Sequence, residues 1–281
     1  LIYMAQRIQS PSSINTFKQC QRKYYYQYIL KLAQKVPSIH LQRGKIVHEA
    51  LEDLFKIDIS NMDKEYYEFE LKTLLQSLFK QKWTAEKKEL DRIGMTPEQL
   101  EFYFRESLYM VNNWFRNFMK ILGPKVEKEG LVEGFNHVKP KTEVYFLSEE
   151  HQVRGFIDAI HEIDGEVSLM DYKTSKREKM SPEYRLQLAI YALLYEEKYG
   201  KKPQLVGIDF LRHKQHYLDV DQDLVDFAKL ECKFIQEQTI SEDISDYSRK
   251  KTPLCNYCDF QDVCFGQKTM DEFIAENGPN R

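Results

Sequence analysis

The feature of this sequence that most restricts its fold is an Asp-Gly pair, Asp164-Gly165, between two alternating apolar segments. Asp-Gly in this setting is the strongest short-range signal for a β-hairpin with a two-residue turn. With these residues at the turn, Ile163 faces Glu166, and counting outward along both strands places Asp158 directly opposite Asp171. Residues paired in this way point to the same face of a sheet, so the two carboxylates are expected to meet.

Two opposed aspartates on neighbouring strands need a compensating positive charge. Opposed Cβ atoms lie about 4.5–5.5 Å apart, close enough for two carboxylates to bind one hard cation such as Mg²⁺ or Mn²⁺. Lys173 lies on the same face, whereas Tyr172 points to the other one. A second interpretation stays open here, an exposed hairpin edge whose acids pair with Lys173 or Arg154. The apolar residues along both strands favour a buried hairpin instead.

Helical patterns surround the hairpin. The segment Ser10-Pro11-Ser12-Ser13 predicts the start of an aromatic-rich helix that continues to about Ile29, and a second helix is expected from near Arg43-Gly44. Helical spacing then dominates residues 56–129, and alternation is expected to begin after Gly123-Pro124. The other expected elements are strands at 142–147, 152–160, 166–172, 204–212 and 215–220, and helices at 181–199 and 221–238.

Four short motifs carry a resemblance to a known family. In chain order they are His48-Glu49-Ala50-Leu51-Glu52, Gly155-Phe156-Ile157-Asp158, Asp171-Tyr172-Lys173-Thr174-Ser175 and Gln187-Leu188-Ala189-Ile190-Tyr191. The sequence resembles the RecB-like nucleases of the PD-(D/E)XK superfamily, which carry these motifs in the same order. Many relatives have Glu at the position of Asp171, and the motif permits the shorter acid.

The resemblance implies an α/β fold, with a restriction-endonuclease-like core in which helices flank a mixed central sheet. It implies that Lys173 positions or activates the attacking water, and that Gln187 and Tyr191 steady this lysine or contact the DNA backbone. The metal ligands that it implies are His48, Asp158, Asp171 and the backbone carbonyl of Tyr172, and the catalytic residues are Asp158, Asp171, Lys173, Gln187 and Tyr191. Glu143 either reaches this site or lies on a solvated strand face.

The cysteines form a second group. Cys255, Cys258 and Cys264 have the spacing C-x₂-C-x₅-C, and Cys20 or Cys232 can supply the fourth thiolate of a tetrahedral set. From the residues alone the site suits Zn²⁺ or an iron–sulfur cluster. The resemblance extends to CRISPR-associated exonucleases and AddB-type nucleases, and it implies a [4Fe–4S] cluster bound by Cys20, Cys255, Cys258 and Cys264. The cluster would staple the first helix to the C-terminal tail, leaving Cys232 as a buried thiol.

Composition limits the ways in which this chain can meet DNA. The net charge of −3 gives no global positive field, so phosphate contacts depend on local basic clusters. No Walker-type phosphate loop occurs, which excludes a helicase motor in these 281 residues. No apolar run is long enough to span a membrane and no secretory signal is evident, so a cytoplasmic location is expected. The basic clusters are Lys173, Lys176, Arg177 and Lys179; Arg22 and Lys23; and Arg249, Lys250 and Lys251.

Four segments are expected: N-terminal helices with the cluster cysteine and the metal histidine (4–55), a helical insertion (56–130), the nuclease core (131–240) and the cysteine tail (241–281). The insertion is expected to form a wall over the DNA strand or to dock a partner. The expected function is a Mg²⁺- or Mn²⁺-dependent deoxyribonuclease acting on single-stranded ends or flaps in repair, recombination or CRISPR spacer acquisition. A helicase or CRISPR integration proteins are the expected partners. The alternative is a nuclease-fold subunit that binds DNA ends or a helicase and whose catalysis is dispensable.

Overall fold

The computed structural model describes residues 7–32 and 38–277, which contain eleven α-helices and one five-stranded sheet. The α-helices are α1 (Pro11–Gln19), α2 (Gln21–Tyr24), α3 (Ile39–Leu54), α4 (Tyr67–Ala85), α5 (Lys87–Arg92), α6 (Pro97–Glu129), α7 (Leu131–Val138), α8 (Pro182–Tyr199), α9 (Gln222–Gln238), α10 (Gln261–Cys264) and α11 (Met270–Asn277). The strands are β1 (Lys141–Ser148), β2 (Val153–Ile163), β3 (Glu166–Lys173), β4 (Leu205–Phe210) and β5 (Gln215–Asp219). A π-helical turn covers Tyr25–Ile29, and 3-10 turns cover Ile244–Asp246 and Pro253–Tyr257.

The sheet has the strand order β1-β2-β3-β4-β5 and is mixed. β2 and β3 pair antiparallel, β3 and β4 pair parallel, and β4 and β5 pair antiparallel. The two parallel strands are joined through α8, as a parallel pair requires a crossover connection. The expected α/β fold with a mixed central sheet flanked by helices is therefore confirmed.

The hairpin register expected from the Asp-Gly turn is also confirmed. Ile163 pairs with Glu166, and the pairing continues to Ala159 and Met170. Asp164 and Gly165 have φ angles of +54° and +86°, as a two-residue turn with left-handed central residues demands. The next position away from the turn is Asp158 on β2 and Asp171 on β3.

The described residues fall into two compact units that are not contiguous in sequence. One comprises residues 7–32, 147–155 and 222–277, and the other comprises 38–146 and 156–221. We call them the terminal unit and the sheet unit. The four consecutive segments expected from the sequence stay a prediction.

In the sheet unit, helices cover both faces of the sheet. On one face α8 packs against β3 and β4. On the other face α3, α4, α6 and α7 form a hydrophobic core that includes Trp114 and Phe118 of α6, which stack on each other, and Tyr172 of β3. The helical insertion is thus part of this core. Within the described ranges, no helix combines the length and the apolar character needed to cross a membrane.

In the terminal unit, α1 contacts α9, and Lys18 forms an ion pair with Glu231 at 2.7 Å. Rings pack beneath these helices, with the centroids of Tyr24 and Tyr25 at 6.2 and 5.1 Å from that of Tyr247. Tyr247 has no exposed surface, so it forms the centre of this unit's aromatic core.

Three helix boundaries differ from the expectation. The aromatic helix is broken at Cys20, whose extended backbone (φ −161°) both ends α1 and precedes α2. Helix α3 begins at Ile39 rather than near Arg43-Gly44, because the Ser38 hydroxyl caps its first turn. Helix α6 continues through Gly123-Pro124 to Glu129, and alternation begins only at β1. Buried residues of α6 before Pro124, together with the partly buried Val126 after it, pack on the core and outweigh the local cost of the proline.

Candidate active site and cysteine cavity

The active-site candidates of the sheet unit lie where the β2–β3 ladder ends. Beyond the pair Ala159 and Met170, the side chain of Asp158 replaces the ladder: its Oδ2 accepts a hydrogen bond of 2.7 Å from the backbone N of Tyr172. Asp158 is therefore fixed by the strand that carries Asp171. Both aspartates are buried, Asp171 to 2% exposure.

His48 reaches the same place from α3. Its Nε2 lies 2.9 Å from the carbonyl oxygen of Tyr172. At this distance the two atoms either share a hydrogen bond or, as the motifs imply, are neighbouring ligands of one cation. Nδ1 faces Asp158 Oδ2 at 3.5 Å. Burial lowers the pKa of His48, which favours the neutral imidazole that metals bind.

Glu143 of β1 completes a group that the sequence left open. Ligand atoms of His48, Glu143 and Asp158 all lie within 4.8 Å of one another, a spacing that suits one metal ion. Glu143 has a φ angle of +49°, a left-handed conformation that costs an ordinary residue about 1–2 kcal/mol. A strained carboxylate beside a second acid is typical of functional sites. The only sequence signal was its position on the strand before Asp158.

The electrostatics of this group favour a bound cation. Burial and then the charge of Asp171 raise the pKa of Asp158 to about 8, although the hydrogen bond from Tyr172 opposes this shift. Burial and then Asp158 also raise the pKa of Glu143. The raised values mean that the site disfavours several uncompensated carboxylates, and a divalent cation would supply the missing charge.

The second aspartate has its own set of partners. Asp171 Oδ2 pairs with Lys173 Nζ at 2.6 Å, and Asp171 Oδ1 accepts hydrogen bonds from Gln187 Nε2 at 2.7 Å and Tyr191 Oη at 3.3 Å. Gln187 also donates to Tyr191 Oη at 2.7 Å. Burial opposes the charge of Lys173, yet Asp171 and then Asp158 outweigh it and raise the lysine pKa. The α8 pair thus orients an aspartate that holds a charged lysine.

The structure therefore brings together all the residues singled out from the four motifs. These are His48, Asp158, Asp171, Tyr172, Lys173, Gln187 and Tyr191. It adds Glu143 to them. Their individual roles as ligands or catalytic groups stay predictions.

The terminal unit holds four of the five cysteines around one small cavity, lined among others by Cys20, Cys255, Cys258 and Cys264. The fifth, Cys232, is buried in α9. Among the residues that the structure describes, no three cysteine sulfurs lie within 4.8 Å of one another, so the thiols surround the cavity without a tight cluster. Burial raises the pKa of the Cys258 and Cys264 thiols, and nearby Cys20 adds to both shifts.

Comparison with known proteins found similarity to a phage protein and to a solved structure. The gene 69 protein of Mycobacterium phage D29 is 31% identical over 130 residues, which are 45% of this chain and 47% of that protein. The chain thus spans about half the length of this curated relative. A crystal structure from Eubacterium rectale, of a protein to which exonuclease activity has been attributed, shares 12% identity and a TM-score of 0.50 over 92% of this chain and 90% of that one. At that identity the likeness concerns the fold alone.

A mixed sheet with paired acids and a lysine at the end of a hairpin defines the class of α/β proteins with a buried carboxylate site whose spacing suits a metal ion. The sequence assigns the chain more narrowly, because residues 9–265 match the PD-(D/E)XK nuclease superfamily. Since the match covers most of the 281 residues, the chain belongs to this superfamily.

Proposed function

We propose that this chain is a Mg²⁺- or Mn²⁺-dependent deoxyribonuclease that hydrolyses phosphodiester bonds at single-stranded ends or flaps. The observation that carries the proposal is the meeting of Asp158 and Asp171 with Lys173 and His48 at one place, in a chain of a nuclease superfamily. Two acids and a lysine beside a neutral imidazole suit metal-assisted attack of water on a phosphate.

The proposed cation ligands are His48, Asp158 and Asp171 with the carbonyl of Tyr172, as the motifs imply. Glu143 joins this set because its carboxylate shares the space of His48 and Asp158. The raised pKa of Asp158 supports the assignment, since a cation between the acids relieves the repulsion that Asp171 imposes.

The bound cation, Lys173 and the α8 side chains have different roles in the proposed hydrolysis. A cation bound to these acids would supply Lewis-acid stabilisation of the charge on the phosphate oxygens. Lys173 keeps its proton beside Asp171, so it orients the attacking water by donating a hydrogen bond and stabilises negative charge on the phosphate. Gln187 and Tyr191 hold Asp171, and through it Lys173, in one orientation.

For the cysteine cavity we propose a [4Fe–4S] cluster bound by Cys20, Cys255, Cys258 and Cys264, with Zn²⁺ as the alternative. Four thiols around one cavity are the donor set of either. Zinc–sulfur bonds of about 2.3 Å put the thiolates of a tetrahedral zinc site about 3.8 Å apart. In a cluster each thiolate binds a different iron, and the sulfurs lie farther apart. Between the two, the sequence resemblance favours the cluster.

The pathway belongs to the same proposal. Repair, recombination and CRISPR spacer acquisition all produce single-stranded ends for such an enzyme, with a helicase or integration proteins as partners. The alternative function is a subunit that binds DNA ends without needing catalysis. The ordered contacts of Asp171 and Lys173 argue against this alternative, because binding alone does not require them.

The test is cleavage of end-labelled single- and double-stranded DNA with Mg²⁺, with Mn²⁺ and with excess chelator. The wild-type protein should cleave with metal, and chelator should abolish cleavage. Asp171→Ala should lose cleavage and keep DNA binding. Asp164→Asn, an exposed acid at the turn of the same hairpin, is the matched control and should cleave normally. Cleavage by Asp171→Ala at the wild-type rate would refute the proposal.

A further inference from the structure

A cleft beside Lys173 in the sheet unit has the volume of a nucleotide site. Its volume is about 490 Å³, within the range of about 300–1,000 Å³ that ligand pockets occupy. Residues of α3, α6, the loop after β3 and the start of α8 line it. Lys173 lines the cleft and also pairs with Asp171, so the cleft opens directly beside the candidate active site.

The charge of the cleft suits a phosphate. Arg43, Lys173 and Lys176 line it together with the hydroxyl residues Thr174 and Ser175. Among the described residues, none with a carboxylate takes part in the lining. Arg43 is only 2% exposed, and its Nε is a buried donor without a hydrogen-bond partner. Arg43 therefore contributes positive charge to this wall from beneath the surface, whereas Lys176 can contact a phosphate directly.

The cleft also contains aromatic rings. Tyr103 of α6 is half-buried, with the Arg43 guanidinium carbon 5.2 Å from its ring centroid and the His40 ring 5.7 Å away, edge to face. Tyr184 carries a cation in the same way, with Lys173 Nζ 5.5 Å from the centre of its ring. A base stacked on Tyr103 would leave the contact of Lys173 with Tyr184 and Asp171 undisturbed, so we assign the base to Tyr103. Burial and then Arg43 lower the pKa of His40, so the imidazole beside Tyr103 is neutral.

An ion-pair network makes this wall rigid. Glu106 of α6 accepts from Arg43 at 3.0 Å and from both terminal nitrogens of Arg212 at 2.6 and 2.8 Å. Both arginines also donate to the backbone carbonyl of Thr174, at 3.2 and 3.3 Å. Two arginines share one carboxylate, so the network carries one net positive charge. This charge lies beside the backbone of Thr174, the residue that follows Lys173.

We propose that this cleft binds the nucleotide next to the scissile phosphate, with its base unpaired and stacked on Tyr103. Its phosphate lies near Lys176, in the loop after β3. A base must leave its own stack to reach such a ring, so the substrate is a strand that is single-stranded at this position. The inference rests on the proposed nuclease function and gives the helical insertion a direct role in recognising the strand.

The first test removes the ring while keeping apolar packing, with Tyr103→Leu. Binding is measured by fluorescence anisotropy with a single-stranded oligonucleotide, with Ca²⁺ replacing Mg²⁺. Loss of one stacking contact should raise Kd about tenfold. Tyr103→Phe keeps the stacking face and should stay within about twofold of wild type. Tyr109→Leu is the matched control, because Tyr109 is 53% exposed on the same helix and does not line the cleft.

The second test removes the base instead. Single-stranded substrates carry one abasic nucleotide at successive positions around the cleaved bond. In the wild-type protein one position should weaken binding about tenfold, and in Tyr103→Leu this penalty should disappear. The same abasic penalty in both proteins would overturn the proposal. An equal loss by Tyr103→Leu on fully paired blunt DNA would also overturn it, since a paired base cannot stack on the ring.

The experiments distinguish failure of the nuclease proposal from failure of the cleft proposal. A wild-type protein that cleaves no DNA with any metal refutes the nuclease, and the cleft falls with it. A wild-type protein that cleaves DNA, with Tyr103→Leu and abasic substrates behaving as wild type, refutes only the cleft. A thermal melt of Tyr103→Leu close to that of wild type shows that weaker binding is not loss of folding.

Discussion

The carboxylate site and the cysteine cavity are built from different kinds of local structure. The carboxylate site draws its residues from long regular elements, α3, β2, β3 and α8, and its aspartates are fixed by hydrogen bonds from neighbouring groups. The cysteines lie at a helix break, in a 3-10 turn and in the four-residue α10. None of the described cysteines forms a disulfide.

The carboxylate site and the cysteine cavity therefore obtain their order in different ways. Regular elements packed on a core, with hydrogen bonds from Tyr172, Gln187 and Tyr191, orient the carboxylates. Turns of three to five residues are not stable alone, so tertiary contacts or a bound group must hold the cysteine segment. We therefore expect the first region to lose function without losing its fold, and the second to lose its fold when its donors are removed.

The largest expected effect is on activity in the carboxylate site. Asp158→Asn keeps an acceptor for the amide of Tyr172 but removes a charge, so cleavage should fall at least about a thousandfold, or about 4 kcal/mol. In the absence of metal the variant should be more stable than wild type, by about 1–3 kcal/mol, because a buried repulsive acid is gone. Cleavage assays and chemical denaturation in chelator measure both. A destabilised variant would show that this region is not preorganised.

The cysteine region should respond in the opposite way. Cys258→Ser should remove visible absorbance near about 400 nm from anaerobically purified protein. It should also make residues 239–277 sensitive to proteases, with a loss of about 3 kcal/mol or more in stability. Cys232→Ser, at a buried thiol outside the cavity, should keep the absorbance. A colourless wild-type protein containing zinc would replace the cluster with the zinc alternative.

The sequence was sufficient for features that depend on local chemistry. The Asp-Gly turn fixed the register of β2 and β3, and that register brought the two aspartates together. The break at Cys20 was not predictable, because the aromatic pattern is helical on both sides of it and tertiary contacts impose the extended backbone. Whether Glu143 reaches the site could not be decided from the sequence for a similar reason. Alternation along a strand does not reveal a left-handed residue that redirects one side chain.

The network behind the cleft was equally hidden. Arg43, Glu106 and Arg212 are separated by 63 and 106 residues in sequence, and nothing local in their segments indicates that they meet. The packing of α6 beside α3 brings Arg43 and Glu106 together, and Arg212 reaches them from the turn after β4.

A pH series measures how much one unfavourable buried charge in the sheet unit lowers the free energy of unfolding. Burial raises the pKa of Asp209, on β4, to about 6. The folded state therefore holds this proton more tightly than the unfolded state, and stability falls as pH rises from about 4 to about 6. Asp209→Asn should remove that fall, so its advantage over wild type should grow to about 3 kcal/mol by pH 7. Denaturation at several pH values checks this, and a constant difference would contradict it.

The smallest expected effect concerns the ion-pair network. Glu106→Gln leaves two arginines with one neutral partner, and it should cost about 2 kcal/mol of stability because Arg43 is buried. Glu101→Gln, which removes an exposed pair with Arg105 on the same helix, should cost less than about 0.5 kcal/mol. Equal effects in the two variants would mean that the network does not stabilise the wall of the cleft.

The hydrogen bond from the Tyr172 amide to Asp158 offers a way to detect a bound cation. This amide lies one residue from Asp171 and belongs to the residue whose carbonyl meets His48. Any cation that draws on the Asp158 oxygen must weaken the bond to that single N–H group. The nitrogen-15 resonance of one backbone amide would thus act as a built-in gauge of ion occupancy, readable without a substrate or a label on DNA.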